Sequence, residues 1–413
     1  MPCCIILRSA TSIESNLKRL DYLKTIPGFS QIRNGGTNGD TVFRGMFGSR
    51  LRILTNNSEM LGACPARMDA PSSYISPESF DVLPLVKGPE TVQWGPGNSA
   101  GTLRFDRIPP QFDKPGIQGS TSLLAASNSH FDENADISLG SEGGYIRLTG
   151  NKSRSSDYKD GTGDRVASKW DKWNADVAVG WTPDKDTLLE VSAGKGDGEA
   201  RYAGRSMDGS QFKRESLGMR FEKSNIGEVF DKFEASAYYI YANHIMDNYT
   251  LRSPGTSSSG GMSAGMDMGS SMDLGSSMDM PDPASMDMSM PMAMQLDRRT
   301  VGGRMMGIWL LKDFQLQSGA DMQTNTHRSK DDSGWVKDAR FHDYGIFSEL
   351  TWFASGDNKV IRDRYKQGDS LHDIARMFDR YHSSIMPTIH QTGGYRPPVR
   401  KRHPLALSLD ERE

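Results

Sequence analysis

The sequence predicts a β protein in which a small N-terminal domain is followed by a long antiparallel sheet. From about residue 117, segments of roughly ten residues alternate apolar with small or polar positions, as strands do. Turn clusters such as TPDKD and SGDN separate them, and about ten strands fit between residues 117 and 354. No apolar run approaches the ~18 residues that a transmembrane helix needs. Aromatic residues lie near many of the strand ends: Trp170, Trp173, Trp181, Tyr238, Tyr239, Tyr241, Trp309 and Trp352.

Two architectures fit this alternation. A transmembrane barrel turns one face of each strand to lipid and the other to its interior, and it carries aromatic girdles at both interfaces. A soluble sandwich or propeller also alternates, with its apolar face buried. The mean hydropathy of −0.58 excludes neither. The strand pattern by itself therefore leaves both architectures open.

Composition and the first residues narrow the class of protein. A net charge of −3 argues against a protein that is basic overall, and three cysteines do not make a disulfide framework. The N-terminus has one basic residue, Arg8, beside the short apolar patch Ile5 to Leu7, so no secretory signal is predicted. Residues 17–115 mix short apolar runs with Gly, Pro and Asn, which predicts a compact α+β domain with many turns.

Two further regions depart from the strand pattern. Eleven of the 23 methionines lie between Met262 and Met294, in a segment of Ser, Gly, Met and Asp spanning 253–294. Such a segment cannot bury a core, and we predict a disordered loop. From residue 362, ten Lys or Arg stand against seven Asp or Glu, and apolar residues recur at helical spacing from Leu371 to Phe378. This pattern predicts a small, basic, α-helical tail.

The segments VKGPETVQWGPGNSAGT (86–102) and RNGGTNGDTVFRGMFGSRLRIL (33–54) carry a family resemblance. They resemble the plug domain of TonB-dependent outer-membrane receptors, in particular the TonB-dependent copper receptor, and the resemblance extends from about Tyr22 to Ile361. It implies a β fold with a plug inside a 22-stranded barrel. It also implies copper uptake across the outer membrane, driven by the TonB complex, and no enzymatic activity.

The resemblance divides the chain into four parts. Residues 1–21 lie outside the family, 22–115 form a partial plug, 117–360 form about ten barrel strands with the Met-rich loop, and 362–413 are separate. The family has a signal peptide, a TonB-contacting segment and an earlier plug half before the position of Tyr22. We therefore expect a truncated, inactive copy, and the absence of a visible signal leaves the cytoplasm open as its location. A product that is unfolded and degraded is a further possibility.

Four residues are candidate copper ligands, because reduced copper prefers soft sulfur and imidazole donors. Cys64 and Met68 are four residues apart around Pro65, and His244 and Met246 are two apart, which on a strand places both side chains on one face. In the copper receptor the corresponding Cys-x-x-x-Met and His-x-Met pairs bind the metal, so the resemblance implies a Cu(I) site at these four residues. The alternative is that Cys64 and Met68 are ordinary core residues.

Other candidates carry competing interpretations. The repeated Met-Asp-Met segment suits weak, exchangeable copper capture, and it suits a linker with incidental methionines equally well. His327 and His342 fall at strand ends or loops, where solvated polar residues are the default, and we do not predict them as ligands. The candidate capture residues are Met266, Met268, Met278, Met280, Met286 and Met288.

The tail resembles the helix-turn-helix and linker at the start of an insertion-sequence-30-type transposase, over about residues 362–413. This resemblance makes a DNA-binding fragment the alternative function, separable from copper binding by salt-sensitive binding to DNA. Pro387 lies within the would-be recognition helix, where it removes a backbone donor. The candidate DNA contacts are Arg376, Arg380, Ser383, Ser384, Arg400 and Lys401.

Overall fold

The computed structural model describes most of the chain up to residue 352 and six single positions beyond it. These are residues 5–8, 23, 27–34, 38–65, 67–87, 91–95, 99–253, 290–311 and 313–352, with positions 361, 364, 365, 374, 376 and 377. Nearly all of the Met-rich segment and of the basic tail lies outside the described residues. No helix within the described ranges is long and apolar enough to cross a membrane.

The N-terminal domain is built on a five-stranded sheet with the strand order β1-β6-β7-β4-β5. β4 and β7 run parallel, while the other neighbours are antiparallel, and β2 and β3 form a separate hairpin. Three 3₁₀ helices, Gly48–Arg50, Pro71–Ser73 and Pro77–Ser79, cover the turns. The strands are β1 (Ile5–Arg8), β2 (Phe29–Asn34), β3 (Asn38–Phe43), β4 (Leu51–Thr55), β5 (Ser58–Glu59), β6 (Val82–Lys87) and β7 (Gly101–Phe105).

The second body is a ten-stranded sheet in which strands adjacent in sequence pair antiparallel, apart from a small hairpin of β11 and β12 that interrupts the series. The prediction of about ten strands is confirmed. β15 to β19 have 17 to 19 residues, longer than predicted, because polar residues continue each strand beyond its apolar middle. The strands are β8 (Gly116–Ala126), β9 (His130–Ser141), β10 (Gly144–Ser155), β11 (Tyr158–Lys159), β12 (Arg165–Val166), β13 (Trp170–Trp181), β14 (Thr187–Ala200), β15 (Asp208–Ser224), β16 (Phe230–Asp247), β17 (Ala293–Leu311), β18 (Phe314–Asp331) and β19 (Gly334–Trp352).

The ten-stranded sheet buries polar residues and exposes apolar ones. In β10, Arg147, Thr149 and Asn151 are buried, while Ile146 and Leu148 between them are 46% and 47% exposed. A soluble sandwich alternates in the opposite sense, with its apolar face inward. A polar inner face and an apolar outer face are typical of the wall of a transmembrane barrel, and this arrangement settles the choice that the sequence pattern left open.

The N-terminal domain lies against the polar inner face. The Lys172 ammonium of β13 donates to the carbonyls of Ser72 (3.1 Å) and Ile75 (2.9 Å), and the Arg107 guanidinium donates to Asp176 (3.0 Å). One apolar cluster includes residues of both bodies, such as Tyr74 from the N-terminal domain and Phe212 from β15. Polar bonds and this shared cluster therefore fix the domain on the sheet.

Candidate metal centre

The loop that carries Cys64, residues 61–69, is organised around one buried carboxylate. Asp69 is fully buried and accepts hydrogen bonds from the backbone N–H groups of Ala63 (2.6 Å) and Cys64 (2.8 Å). The hydroxyl of Tyr74 donates to the same carboxylate. Since three donors converge on Asp69, the backbone around Cys64 is held in one conformation. We call residues 61–69 the Cys64 loop.

Two contacts close this loop. A Cβ atom added to Gly62 would lie 2.1 Å from the carbonyl oxygen of Asp69, so only glycine permits this close approach. On the outer side, the backbone N–H of Arg67 donates to the Cys64 carbonyl (3.0 Å), and the Arg67 guanidinium pairs with Asp40. The loop therefore places Cys64 and Met68 on a compact turn.

The protonation of Tyr74 follows from its surroundings. Burial raises the pKa of Tyr74 well above 10, and the negative charge of Asp69 raises it further. The phenol consequently remains protonated and donates to Asp69 at every physiological pH. Its position within the loop network is therefore independent of pH in that range.

His244 and Met246 lie near the end of β16, on its inner face. Each is 1% exposed, as their two-residue spacing predicts for a strand with one buried face. His244 is the cross-strand neighbour of Phe212 on β15, and the two rings stack with centroids 4.8 Å apart. The register of β15 shifts between Gly209 and Gln211, beside Met246. The strand ladder thus fixes both side chains toward the N-terminal domain.

The hydrogen bonds of His244 assign its tautomer. Nδ1 lies 3.2 Å from the backbone carbonyl of Gln211, which only accepts, so Nδ1 carries the proton. Nε2 is then left with a lone pair, and it is buried with no hydrogen-bond partner in the described part of the chain. Metal-binding histidines characteristically donate one N–H to a backbone carbonyl and use the other nitrogen as the ligand.

The Cys64 loop and the end of β16 meet in the shared apolar cluster. Cys64 and Met246 are buried members of that cluster, and Met68 packs against it. The rings of Tyr74 and Phe212 meet edge to face with centroids 6.4 Å apart, and the Phe212 ring stacks on His244. The structure therefore brings the four predicted ligands to one region between the two bodies.

The donor set is rich in sulfur. Within the described ranges, no group of three or more His, Cys, Asp or Glu side chains is placed to hold a metal ion. The four predicted residues supply a thiol, an imidazole and two thioethers, which suit Cu(I) rather than a hard cation. Met294, the last methionine of the Met-rich segment, pairs across the strands with Met246 and packs against the same cluster.

The other predicted residues fall outside this region. Of the candidate DNA contacts, only Arg376 is a described position, and it is exposed. The remaining DNA-contact candidates lie outside the described residues, and so do the capture candidates Met266, Met268, Met278, Met280, Met286 and Met288.

The sequence predictions missed one contact between the ten-stranded sheet and the Cys64 loop. His327, on β18, is 3% exposed, and its ring bonds both Asp338 of β19 and the backbone carbonyl of Ala63 in the Cys64 loop. The two bonded positions His327 and Ala63 are 264 residues apart in the chain. Only its burial against a distant loop distinguishes this histidine from a solvated strand residue.

Comparison with known proteins agrees with this architecture. Residues 15–102 match the model of the TonB-dependent Receptor Plug Domain. The chain thus combines a plug domain with a partial antiparallel sheet of the kind typical of TonB-dependent barrels. Members of this family are outer-membrane receptors and transporters. No curated protein sequence matches the chain.

Solved structures of several transporters and receptors align with most of the chain. The copper transporter OprC is 54% identical, with a TM-score of 0.74 over 86% of this chain and 53% of its own. This chain thus spans about half the length of that transporter. The hemophore receptor HasR of Serratia marcescens is 12% identical (TM-score 0.61, 84% of this chain, 49% of its own). The ferric-catecholate receptor Fiu of E. coli K12 is 11% identical (TM-score 0.58, 86% and 58%). These last two show the fold alone.

Proposed function

We propose that this chain is part of an outer-membrane copper receptor and binds Cu(I) through Cys64, Met68, His244 and Met246. The observation that carries the proposal is the buried Nε2 of His244, left with a lone pair beside the cluster that contains Cys64 and Met246. The 54% identity to a copper transporter supports copper as the substrate. Two thioethers, a thiolate and an imidazole favour the reduced ion over Cu(II).

The site draws its ligands from both bodies of the molecule. Cys64 and Met68 lie on the N-terminal domain, whereas His244 and Met246 lie on the ten-stranded sheet. The resemblance implies uptake driven by the TonB complex, which in the family contacts a segment that precedes the plug. We propose that the action of this complex would separate the two ligand pairs and so weaken the hold on copper, because neither pair alone supplies four donors.

Copper titration of the purified chain in detergent micelles tests the site. Under anaerobic conditions, competition with a chromophoric Cu(I) chelator should give one tightly bound Cu(I) per chain. Removing a direct ligand, as in Cys64→Ala, should lower the affinity by more than the ~100-fold upper range for residues that only orient ligands. Cys3→Ala with Cys4→Ala is the matched control and should retain full affinity. Unchanged affinity in Cys64→Ala would refute the proposed site.

We further propose that the chain by itself binds copper without carrying it across a membrane. Among the residues that the structure describes, β8 and β19 form the two edges of the ten-stranded sheet. A conducting barrel in lipid needs its strands closed on one another, because an unpaired edge has no water to satisfy it. Lipid vesicles containing the chain should therefore bind Cu(I) and show no copper accumulation in their lumen. Accumulation above that of protein-free vesicles would contradict this part of the proposal.

A further inference from the structure

His327 bridges the ten-stranded sheet and the Cys64 loop. Its Nδ1 lies 2.7 Å and 2.6 Å from the two carboxylate oxygens of Asp338, and its Nε2 contacts the carbonyl oxygen of Ala63. A carboxylate and a carbonyl both accept hydrogen bonds. The ring is therefore held between an acceptor on β19 and an acceptor in the Cys64 loop.

The surrounding charges complete this arrangement. Arg298 of β17 is the cross-strand neighbour of His327. On the other side, β19 supplies Asp338, the carboxylate that binds Nδ1 of His327. His327 thus lies between a basic residue of one neighbouring strand and an acidic residue of the other.

The contacted carbonyl belongs to the residue immediately before Cys64. The N–H groups of Ala63 and Cys64 are bound by Asp69, and the carbonyl of Ala63 is bound by His327. The peptide segment at Cys64 is therefore bound by Asp69 from within the loop and by His327 from the sheet. His327 reaches it from β18, two strands away from the β16 segment that carries His244 and Met246.

We infer that His327 is a positioning residue for the metal site. Backed by Asp338, it binds the Ala63 carbonyl, holds the Cys64 loop against the sheet, and keeps Cys64 and Met68 within reach of His244 and Met246. This inference rests on the proposed function, because it assigns His327 a role at the proposed copper site. It does not make His327 a ligand.

Copper competition on matched variants of the full chain tests the inference. His327→Ala should lower Cu(I) affinity by about 10- to 100-fold, the range for residues that orient metal ligands. His327→Gln retains an N–H donor for the Ala63 carbonyl and should recover part of that loss. The matched control is His130→Ala, since His130 is also buried and pairs with a carboxylate, that of Asp132 on its own strand (3.0 Å). It should keep wild-type affinity.

A second measurement requires no copper. Amide hydrogen exchange of the metal-free chain should become faster at Ala63 and Cys64 in His327→Ala and in Asp338→Asn, and remain unchanged in His130→Ala. Unchanged exchange and affinity in His327→Ala would overturn the inference, as would an equal loss of affinity in His130→Ala. If the wild type failed to bind Cu(I), the proposed function would fall, while the exchange result would still decide whether His327 holds the loop.

Discussion

In the Cys64 loop, side chains hold the backbone in place, whereas in β16 the backbone holds the side chains in place. Asp69 accepts from the N–H groups of Ala63 and Cys64 and from the Tyr74 hydroxyl, and His327 contacts the Ala63 carbonyl. None of the described residues of the loop belongs to a strand. His244 and Met246 lie on a strand that is paired along both sides, with β15 and β17. The two halves of the proposed site therefore depend on different interactions.

Because of this difference, we expect mutations in the two halves to differ in their effects on stability and copper binding. A strand paired on both sides keeps its geometry when one side chain changes, because the backbone hydrogen bonds remain. A loop held by one buried carboxylate loses several bonds when that carboxylate is removed. We expect substitutions in the loop to change stability and copper binding together, and substitutions on β16 to change copper binding alone.

The largest effect is expected from Asp69→Ala. It leaves the N–H groups of Ala63 and Cys64 and the Tyr74 hydroxyl without their acceptor, at about 1–3 kcal/mol for each buried group. Chemical unfolding should show a loss of about 3 kcal/mol or more, and Cu(I) binding should fall below detection. Asp157→Ala is the control for general destabilisation, because it also removes one carboxylate that accepts from two backbone N–H groups, those of Ser168 and Lys169, and from a side chain, that of Arg201. If it abolished copper binding equally, loop geometry would not be the cause.

Met246→Leu tests the strand half. Leucine has nearly the volume of methionine, so the free energy of unfolding should change by less than about 1.5 kcal/mol. The thioether is lost, however, and Cu(I) affinity should fall by at least about tenfold in the competition assay. Met306→Leu, buried in a different cluster of the sheet, removes a thioether elsewhere and should leave the Cu(I) affinity unchanged. A large loss of stability in Met246→Leu would remove the distinction between the two halves.

The strand half could be predicted from the sequence, because its determinants are local. Alternation along β16 places His244 and Met246 on one face wherever the strand pairs, and the structure buries both. The same alternation predicted the sheet. It did not predict which face is buried, and the structure shows that the polar face is, because Arg147 is buried and Ile146 is exposed. Strand pairing that follows chain order needed no long-range information.

For the loop half, the sequence predicted the spacing of the two candidate ligands but not the contacts that hold the loop. Cys64 and Met68 were identified by their four-residue separation, but nothing in the sequence indicates that Asp69 binds back to the N–H of Cys64. His327 was predicted to be a solvated residue at a strand end or loop, and its contact with Ala63 depends on how the N-terminal domain packs against the sheet. Such contacts follow from tertiary packing, and periodicity in the sequence carries no information about them.

Gly62→Ala should produce an effect on stability that is smaller than that of Asp69→Ala and confined to the loop. The new methyl group would meet the Asp69 carbonyl oxygen at 2.1 Å, so the loop must shift, at a cost of about 2 to 3 kcal/mol in stability. Cu(I) affinity should fall in parallel, because the shift moves Cys64. Gly150→Ala on β10 is the matched control, since its nearest neighbour would lie at 3.9 Å. It should stay within about 0.5 kcal/mol of the wild type.

Tyr74→Phe should have the smallest effect and a distinctive pH dependence. Near pH 8 it removes one hydrogen bond to a carboxylate, worth about 1.5 kcal/mol. The pKa of Tyr74 is raised in the folded state, first by burial and then by Asp69, so above about pH 10 the unfolded chain loses this proton while the folded chain retains it. The wild type therefore loses stability through this group as the pH rises, and Tyr74→Phe does not.

The stability difference between wild type and Tyr74→Phe should consequently narrow between about pH 8 and about pH 11, as measured by urea unfolding. Tyr158→Phe, which removes an exposed hydroxyl on the small β11–β12 hairpin, serves as the control. A constant difference would mean that Tyr74 titrates equally in both states, and a widening difference would mean that folding lowers its pKa. The carboxylate of Asp69 would then not be holding the phenol, and the loop would owe its conformation to the backbone bonds alone.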